Sequence, residues 1–137
     1  PDIRIHMAGW DVSDWKVPFD YVNHGAMKLE ELSPLYNRCA AALVMSLTNL
    51  SLLPLELLSC GTIPVVNDGP NNRLVTDNPN IDYVPLSPGA LAAELIRIVD
   101  ADDQVEASRR AAASVESLSW ADSGRRFVAD FEEAMHA

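Results

Sequence analysis

One acidic residue, Glu56, stands among leucines in the stretch from Leu52 to Leu58, which holds no other charged side chain. Acids are seldom fully buried without a partner, so a carboxylate in this setting needs a group to bind. A pair of sugar hydroxyls would suit it, because a carboxylate accepts several hydrogen bonds. The alternative is a first-turn acid that complements a helix dipole.

A cluster of small polar residues precedes this stretch. It reads Ser46-Leu47-Thr48-Asn49 and follows an apolar run. Two similar segments, Asn23-His24-Gly25 and Asn67-Asp68-Gly69, also follow apolar runs, and both belong to a Val-Asn-x-Gly pattern. Ligands bind outside the carboxyl ends of parallel strands, so three such segments at one edge would frame a site. The alternative for each segment is a turn that touches no ligand.

A helix beginning at Pro54 would place the polar cluster beside its N-terminus. Its N-cap would then be Leu53, whose side chain has no acceptor for the N–H groups of Leu55 and Glu56. Free N–H groups at a helix N-terminus suit a phosphate. The alternative, equally compatible with the sequence, is that Ser51 or Asn49 folds back and caps the helix.

These residues must be positioned by alternating strands and helices. Hydrophobic patterns predict strands at residues 3–8, 19–22, 42–45, 63–66 and 81–84, the third of them buried on both faces. Helix signals predict helices from Ser33-Pro34 with Ser33 as N-cap, at 54–59, from Ser87-Pro88, at 102–116 and from Ser119-Trp120. The pattern predicts an α/β fold: a Rossmann-like, doubly wound, mainly parallel sheet with C-terminal helices.

Composition narrows the class of function. The chain has 137 residues, a length that suits one domain. Its net charge of −10 offers no basic stripe to which nucleic acid could bind. No apolar run is long enough to insert in a membrane. Cys39 and Cys60 have no metal-site spacing, which favours two buried free thiols in a reducing compartment over a disulfide.

Several motifs together resemble the donor-binding half of GT-B glycosyltransferases, in particular the large retaining family of bacterial capsule, O-antigen and cell-wall enzymes. The matching residues are Gly25, Leu32-Ser33-Pro34-Leu35-Tyr36, Glu56-Leu57-Leu58-Ser59-Cys60-Gly61, Pro64-Val65-Val66 and Ser119-Trp120. The Pro-Leu-Glu motif after a Ser-rich loop is similar to that of the rhamnosyltransferase branch.

The resemblance implies a nucleotide-sugar site without bound metal or cofactor. Glu56 would bind the ribose hydroxyls, and His24, Gly25 and Ala26 would approach the base. The diphosphate would be held by the loop and the helix start that follows it: Ser46, Leu47, Thr48, Asn49, Leu53, Pro54 and Leu55.

One departure concerns the family's Glu, seven residues, Glu motif. Counting back from Glu56 places Thr48 where the first acid is expected. That acid lies near the donor sugar in the family, so its replacement bears on donor identity and catalysis. No residue is assigned a catalytic role.

The resemblance implies a single nucleotide-sugar-binding domain over residues 1–137, the C-terminal half of a larger cytoplasmic enzyme. The enzyme would transfer a sugar from a nucleoside diphosphate to a glycan or lipid-linked acceptor. The acceptor would bind through an N-terminal domain, which would also carry any membrane association. The chain alone would be inactive, since a GT-B active site lies between two domains. The alternative function is a non-catalytic nucleotide-binding or protein-interaction module on the same fold.

Overall fold

The computed structural model describes residues 3–136 and has the predicted α/β class, with parallel strands and a helical C-terminus. In chain order the elements are β1 Ile5–Ala8, β2 Tyr21–Gly25, α1 Leu29–Tyr36, β3 Ala41–Val44, α2 Leu53–Ser59, β4 Ile63–Asn67, α3 Pro70–Val75, β5 Asp82–Val84, α4 Pro88–Val99, α5 Gln104–Ala113 and α6 Trp120–His136.

The strands form two small parallel sheets, where the sequence predicted one. β1 pairs with β2, and β4 lies between β3 and β5. Within residues 3–136 no strand pairing joins the two sheets. Parallel pairing and helical crossovers still make this a Rossmann-like arrangement, with the carboxyl ends of β3, β4 and β5 at one edge.

The core is built around β4, whose five residues are all buried. Helices α2 and α5 pack on each other and on β4, while α4 packs across β3, β4 and β5. Leu58, Val65 and Val66 are fully excluded from solvent. Each such aliphatic side chain contributes roughly 1.5–3 kcal/mol on burial, so β4 is the anchor of the polar residues that follow it.

Strand β3 was predicted to be buried on both faces, and this is wrong. It lies at the edge of its sheet, and Leu43 is 47 % exposed. Val44 on the other face is buried in the core. The unbroken apolar run marks an interior strand by composition, but no strand covers its outer edge within the described residues.

Helix α1 begins at Leu29, four residues before the predicted start, so Ser33 is inside the helix and is not its N-cap. The carboxylate of Glu31 accepts a hydrogen bond from the N–H of Lys28 at 2.8 Å, which stabilises the earlier start. Pro34 consequently lies in the helix interior, where it has no N–H to donate to the preceding turn.

Helices α4 and α6 start where the sequence predicted, whereas α5 spans Gln104–Ala113 and is shorter at both ends than the predicted 102–116. The hydroxyl of Ser87 accepts a hydrogen bond from the N–H of Ala90 at 3.2 Å, and Ser119 does the same for Asp122 at 3.1 Å. Helix α6 buries none of its described residues, so the predicted apolar stripe faces outward; it comprises Trp120, Phe127, Val128, Phe131 and Met135.

Candidate functional site

The loops after β3 and β4 meet, as the positions of their strands require. The N–H of Ser46 donates to Oδ1 of Asn67 at 2.8 Å, and Nδ2 of Asn67 donates to the carbonyl of Ser46 at 2.8 Å. Asn72, at the start of α3, donates from Nδ2 to the same carbonyl at 3.2 Å. Both asparagines are nearly inaccessible to solvent, with 4 % and 2 % exposure.

The Ser46–Asn49 loop is closed by its own side chain. The Ser46 hydroxyl donates to the carbonyl of Asn49 at 2.7 Å and accepts from the N–H of Thr48 at 3.3 Å. The backbone N–H groups of Leu47 and Asn49 donate to no residue of the described chain. This loop therefore presents two N–H donors that a bound anion can use.

A cavity of about 180 Å³ lies between these loops at the carboxyl edge of the sheet. Ser46, Leu47 and Thr48 line one side, and the segment from Asn67 to Asn72 lines the other, with Leu86 at the rim. Two of the three polar segments singled out in the sequence thus border one space.

The start of α2 does not offer the free N–H groups that the sequence suggested. The helix begins at Leu53, and the N–H groups of Leu55 and Glu56 both donate to the carbonyl of Leu52, at 2.9 and 3.1 Å. The N–H of Leu53 donates to the Ser51 hydroxyl at 3.2 Å. Ser51 therefore folds back onto Leu53 but does not cap Leu55 or Glu56, whose N–H groups the Leu52 carbonyl satisfies. The free N–H groups lie in the preceding loop.

Glu56 is exposed, so the expectation of a helix buried nearly all round is wrong. Leu52, Glu56 and Ser59 recur at helical spacing and form the exposed face of α2, opposite the buried Leu57 and Leu58. The Glu56 side chain has no ion pair or hydrogen bond with any described residue. It is free to accept hydrogen bonds from a ligand.

Glu56 lies close enough to Tyr36, the last residue of α1, to affect its hydroxyl. Burial raises the pKa of the Tyr36 hydroxyl, and the negative charge of Glu56 adds to the rise. Glu56 therefore lies beside the end of α1 and is not among the residues lining the 180 Å³ cavity.

His24 and Gly25 are the last two residues of β2, which extends past the predicted end at 22, and Ala26 follows the strand. Nε2 of His24 lies 2.8 Å from Nδ1 of His6 on β1, and the two rings stack. No hydrogen bond joins this segment to the Ser46–Asn49 loop or to α2 within residues 3–136. The structure brings together two of the three predicted polar segments and leaves this third one apart.

Arg73 on α3 pairs with Asp68 in the loop after β4. The guanidinium donates to both carboxylate oxygens, at 2.6 and 3.2 Å, and stacks over the Tyr83 ring at 4.6 Å. This pairing lowers the pKa of Asp68 and raises that of Arg73. Because Asp68 lines the cavity, the pair keeps a carboxylate from facing an anion alone.

A larger cavity, of about 610 Å³, lies at the opposite edge, at the amino ends of β3 and β4. Four arginines line it: Arg97 pairs with Asp82 and Glu94, Arg110 with Asp103 and Arg109 with Glu106, whereas Arg38 has no ion pair with a described residue. Parallel sheets bind ligands at their carboxyl edge, so the smaller cavity is the candidate site despite its size.

We also searched the described residues for metal sites, cysteine pairs and membrane-spanning helices. Residues 3–136 contain no group of three or more His, Cys, Asp and Glu side chains placed to hold a metal ion. Cys39 and Cys60 are free, as predicted, but half-buried, and burial raises the pKa of the Cys39 thiol. Among these same residues, no helix combines the length and apolarity needed to cross a bilayer.

Residues 1–96, which make up well over half of the chain, match the family model described as WsaF, C-terminal domain. The chain belongs to the WsaF C-terminal domain family. This is a family of glycosyltransferase domains, and it fits the C-terminal domain of a GT-B glycosyltransferase that the motifs predicted. The matched region includes β1 to β5 and both loops of the candidate site.

A curated relative agrees with this assignment. The chain is 33 % identical over 99 residues to a protein of Myxococcus xanthus named O-antigen biosynthesis protein RfbC. The alignment covers 69 % of this chain but 8 % of the relative, so the chain spans a small part of that protein's length. No solved structure matches the chain.

Proposed function

We propose that this WsaF C-terminal domain is the donor-binding part of a cytoplasmic glycosyltransferase that uses a nucleoside diphosphate sugar and builds an O-antigen-type polysaccharide. The observation that carries the proposal is the Ser46–Asn49 loop, which has free N–H groups at Leu47 and Asn49 and lines a cavity at the carboxyl edge of β3 and β4 with Ser46, Leu47 and Thr48. Backbone N–H groups are suited to a diphosphate in a protein whose net charge is −10.

In this proposal the diphosphate lies against the loop and the ribose lies against Glu56. Glu56 is exposed and has no partner among the described residues, as a carboxylate that accepts hydrogen bonds from a diol would be. The start of α2 (Leu53, Pro54 and Leu55) follows this loop in the chain and would flank the diphosphate, while the N–H groups of Leu53 and Leu55 are already bonded within the chain. His24, Gly25 and Ala26 would reach the base from the neighbouring sheet.

The transfer reaction itself belongs to a longer protein in this proposal. An acceptor-binding domain would face the donor site, and a glycan or lipid-linked acceptor would be held there. No bound metal is invoked, because N–H donors and local dipoles offset the diphosphate charge. The sugar and the base are left to experiment.

Isothermal calorimetry with UDP, dTDP and GDP and their sugars tests the binding. At least one is expected to bind more tightly than about 1 mM, which corresponds to roughly −4.1 kcal/mol. Glu56→Gln should weaken binding about tenfold or more, because it removes hydrogen bonds to a charged acceptor. Glu132→Gln, which removes an equal charge on exposed α6, is the matched control and should leave the affinity unchanged.

The 3′-deoxy form of whichever nucleotide binds separates the ribose assignment from the rest; for dTDP, which already lacks the 2′-hydroxyl, it removes the last free sugar hydroxyl. If Glu56 accepts from the ribose diol, the wild type should lose affinity for the deoxy ligand, and Glu56→Gln should discriminate much less between the two. Equal discrimination by wild type and variant would contradict the assignment of Glu56. Absence of nucleotide binding at millimolar concentration would contradict the proposed function.

The second candidate function is a non-catalytic module that binds nucleotide or a protein partner. Thr48 supports it, because a neutral residue stands where the family's first acid is expected. Single-turnover assays on the full-length protein distinguish the two candidates. Release of nucleoside diphosphate and labelled sugar in acceptor would support the transferase, and nucleotide binding without any release would support the module.

A further inference from the structure

The side-chain amide of Asn67 pairs with both backbone groups of a single residue, Ser46. A primary amide carries a donor and an acceptor side by side, so it can satisfy an N–H and a carbonyl at once. Both distances are 2.8 Å, and exchanging the amide oxygen and nitrogen would set donor against donor. The orientation of the Asn67 amide is therefore fixed by its partners.

Asn72 completes the same arrangement. Its Nδ2 donates to the carbonyl of Ser46 at 3.2 Å and to the carbonyl of Asn67 at 2.8 Å. The Ser46 carbonyl thus receives two donors, which is the full capacity of its two lone pairs. No buried side-chain polar atom in the described chain lacks a partner, so the network is satisfied in its observed geometry.

Fixing Ser46 fixes the residues that follow it. With its N–H and carbonyl both held, the chain leaves Ser46 in one direction, and the Ser46 hydroxyl then closes the loop onto Asn49. The N–H groups of Leu47 and Asn49 are left free by this geometry. A donor held in place before the ligand arrives loses little entropy on binding, which raises affinity.

We propose that Asn67 and Asn72 are positioning residues for diphosphate binding, acting through the backbone of Ser46 to fix the loop that borders the cavity and carries the free Leu47 and Asn49 N–H groups. This inference rests on the proposed donor-site function and names the residues that hold its binding loop in place. Neither asparagine needs to touch the ligand for the effect.

Thr62 provides a matched control at the other end of β4. It is fully buried, and its hydroxyl donates to two backbone carbonyls, those of Tyr36 at 2.6 Å and Cys39 at 3.0 Å. Thr62→Val removes buried hydrogen bonds to a backbone, as changes at Asn67 do, but far from the loop. It reports what a loss of stability alone does to ligand binding.

The experiment compares UDP with uridine, which lacks the diphosphate, on folded protein at one temperature below every unfolding transition. Asn67→Asp keeps the acceptor for the Ser46 N–H but removes the donor to the Ser46 carbonyl. Asn72→Ala leaves the pairing of Asn67 with Ser46 intact, and it is the variant to use if Asn67→Asp does not fold. Each variant should bind UDP about tenfold more weakly, which corresponds to roughly 1.4 kcal/mol, with uridine affinity unchanged. Thr62→Val should bind both as the wild type does.

Amide resonances give a readout that stability does not move. In ¹⁵N spectra of the wild type, UDP should shift Leu47 and Asn49, and the variants at 67 and 72 should show displaced or broadened signals for these two amides before any ligand is added. Equal UDP affinity in wild type and both variants, or an equal loss in Thr62→Val, would overturn the positioning role. If dTDP or GDP replaces UDP as the ligand, its own nucleoside replaces uridine; if none of the three binds, the donor-site function and this inference both fall.

Discussion

A Cβ atom placed on Gly61 would lie 2.2 Å from the hydroxyl oxygen of Ser108 and 3.2 Å from its carbonyl oxygen. Gly61 also has a φ of 76°, in the left-handed region that side chains disfavour. It ends the turn after α2 where α5 crosses. The glycine of the Cys60-Gly61 motif is therefore required by backbone geometry and by a close helix approach.

Gly61→Ala should destabilise the chain by about 2–4 kcal/mol, combining left-handed strain with overpacking against α5. Urea unfolding measures it. Gly89→Ala is the control, because Gly89 lies inside α4 with open space around it and should gain roughly 0.5–1 kcal/mol. Ser108→Ala in the Gly61→Ala background should recover part of the loss, and no recovery would argue against the predicted clash.

Pro34 and Pro88 should respond to alanine in opposite directions. Pro34 is exposed inside α1, so Pro34→Ala restores a helical hydrogen bond. The substitution also raises the entropy of the unfolded chain, and the net effect should be to stabilise the folded chain by about 1 kcal/mol. Pro88 is the first residue of α4, where proline fits, and Pro88→Ala should cost roughly 0.5 kcal/mol. The same sign for both substitutions in thermal unfolding would contradict the observed start of α1.

The His6–His24 contact should make stability depend on pH. Burial lowers the pKa of His6, and the nearby His24, Arg38 and Arg4 lower it further. When the pH falls below the ordinary pKa of histidine, His6 takes up a proton in the unfolded state more readily than in the folded state. The free energy of unfolding should therefore fall as the pH drops from about 7.5 to about 5.5.

His6→Gln should flatten this dependence, whereas His136→Gln, on exposed α6, should leave it as in the wild type. Urea titrations at several pH values provide the comparison. A wild-type stability that stays level over this range would show that the ring contact has no energetic consequence.

Helix α6 buries little of its surface, so substitutions in its apolar stripe should hardly change the free energy of unfolding. Phe131 is 58 % exposed, so Phe131→Ala should change the free energy of unfolding by less than about 0.5 kcal/mol. Leu58 is fully buried, and Leu58→Ala should cost roughly 2–5 kcal/mol. A large loss from Phe131→Ala would mean that α6 packs against the rest of the chain in solution.

The sequence predicts elements well where the signal is local. Ser87-Pro88 and Ser119-Trp120 mark their helix starts through caps that the structure contains. It predicts α1 less well, because Pro34 reads as a first-turn proline while the deciding hydrogen bond is made by Glu31. A proline inside a short exposed helix costs energy, but the cap and the packing of Leu35 compensate it.

The candidate site is harder to predict because its contacts join distant residues. Asn23 and Asn67 occupy the same place in the Val-Asn-x-Gly pattern. The Asn23 amide accepts from the N–H of Gly25 at 3.1 Å and donates to the side chains of Asp11 and Ser13, whereas the Asn67 amide pairs with both backbone groups of Ser46. The neighbouring sequence cannot distinguish these roles; only the pairing of β3 with β4 does.

Glu56 illustrates the opposite error. Five surrounding leucines suggested burial on every side, but a seven-residue helix against a small sheet covers only part of its circumference. The periodicity of Leu52, Glu56 and Ser59 was the available signal for an exposed face. The chemical role predicted for Glu56 does not depend on burial and remains open to the nucleotide experiments.

The outer edge of β3 bears on how the chain behaves in concentrated solution. Its four residues, Ala41 to Val44, include no charge and no proline, the usual protections against unwanted strand addition. A second copy can therefore add to this edge through backbone hydrogen bonds, with the exposed Leu43 side chains alongside. Self-association would then compete with measurements made at high protein concentration, and a lysine at position 43 is a simple means of suppressing it.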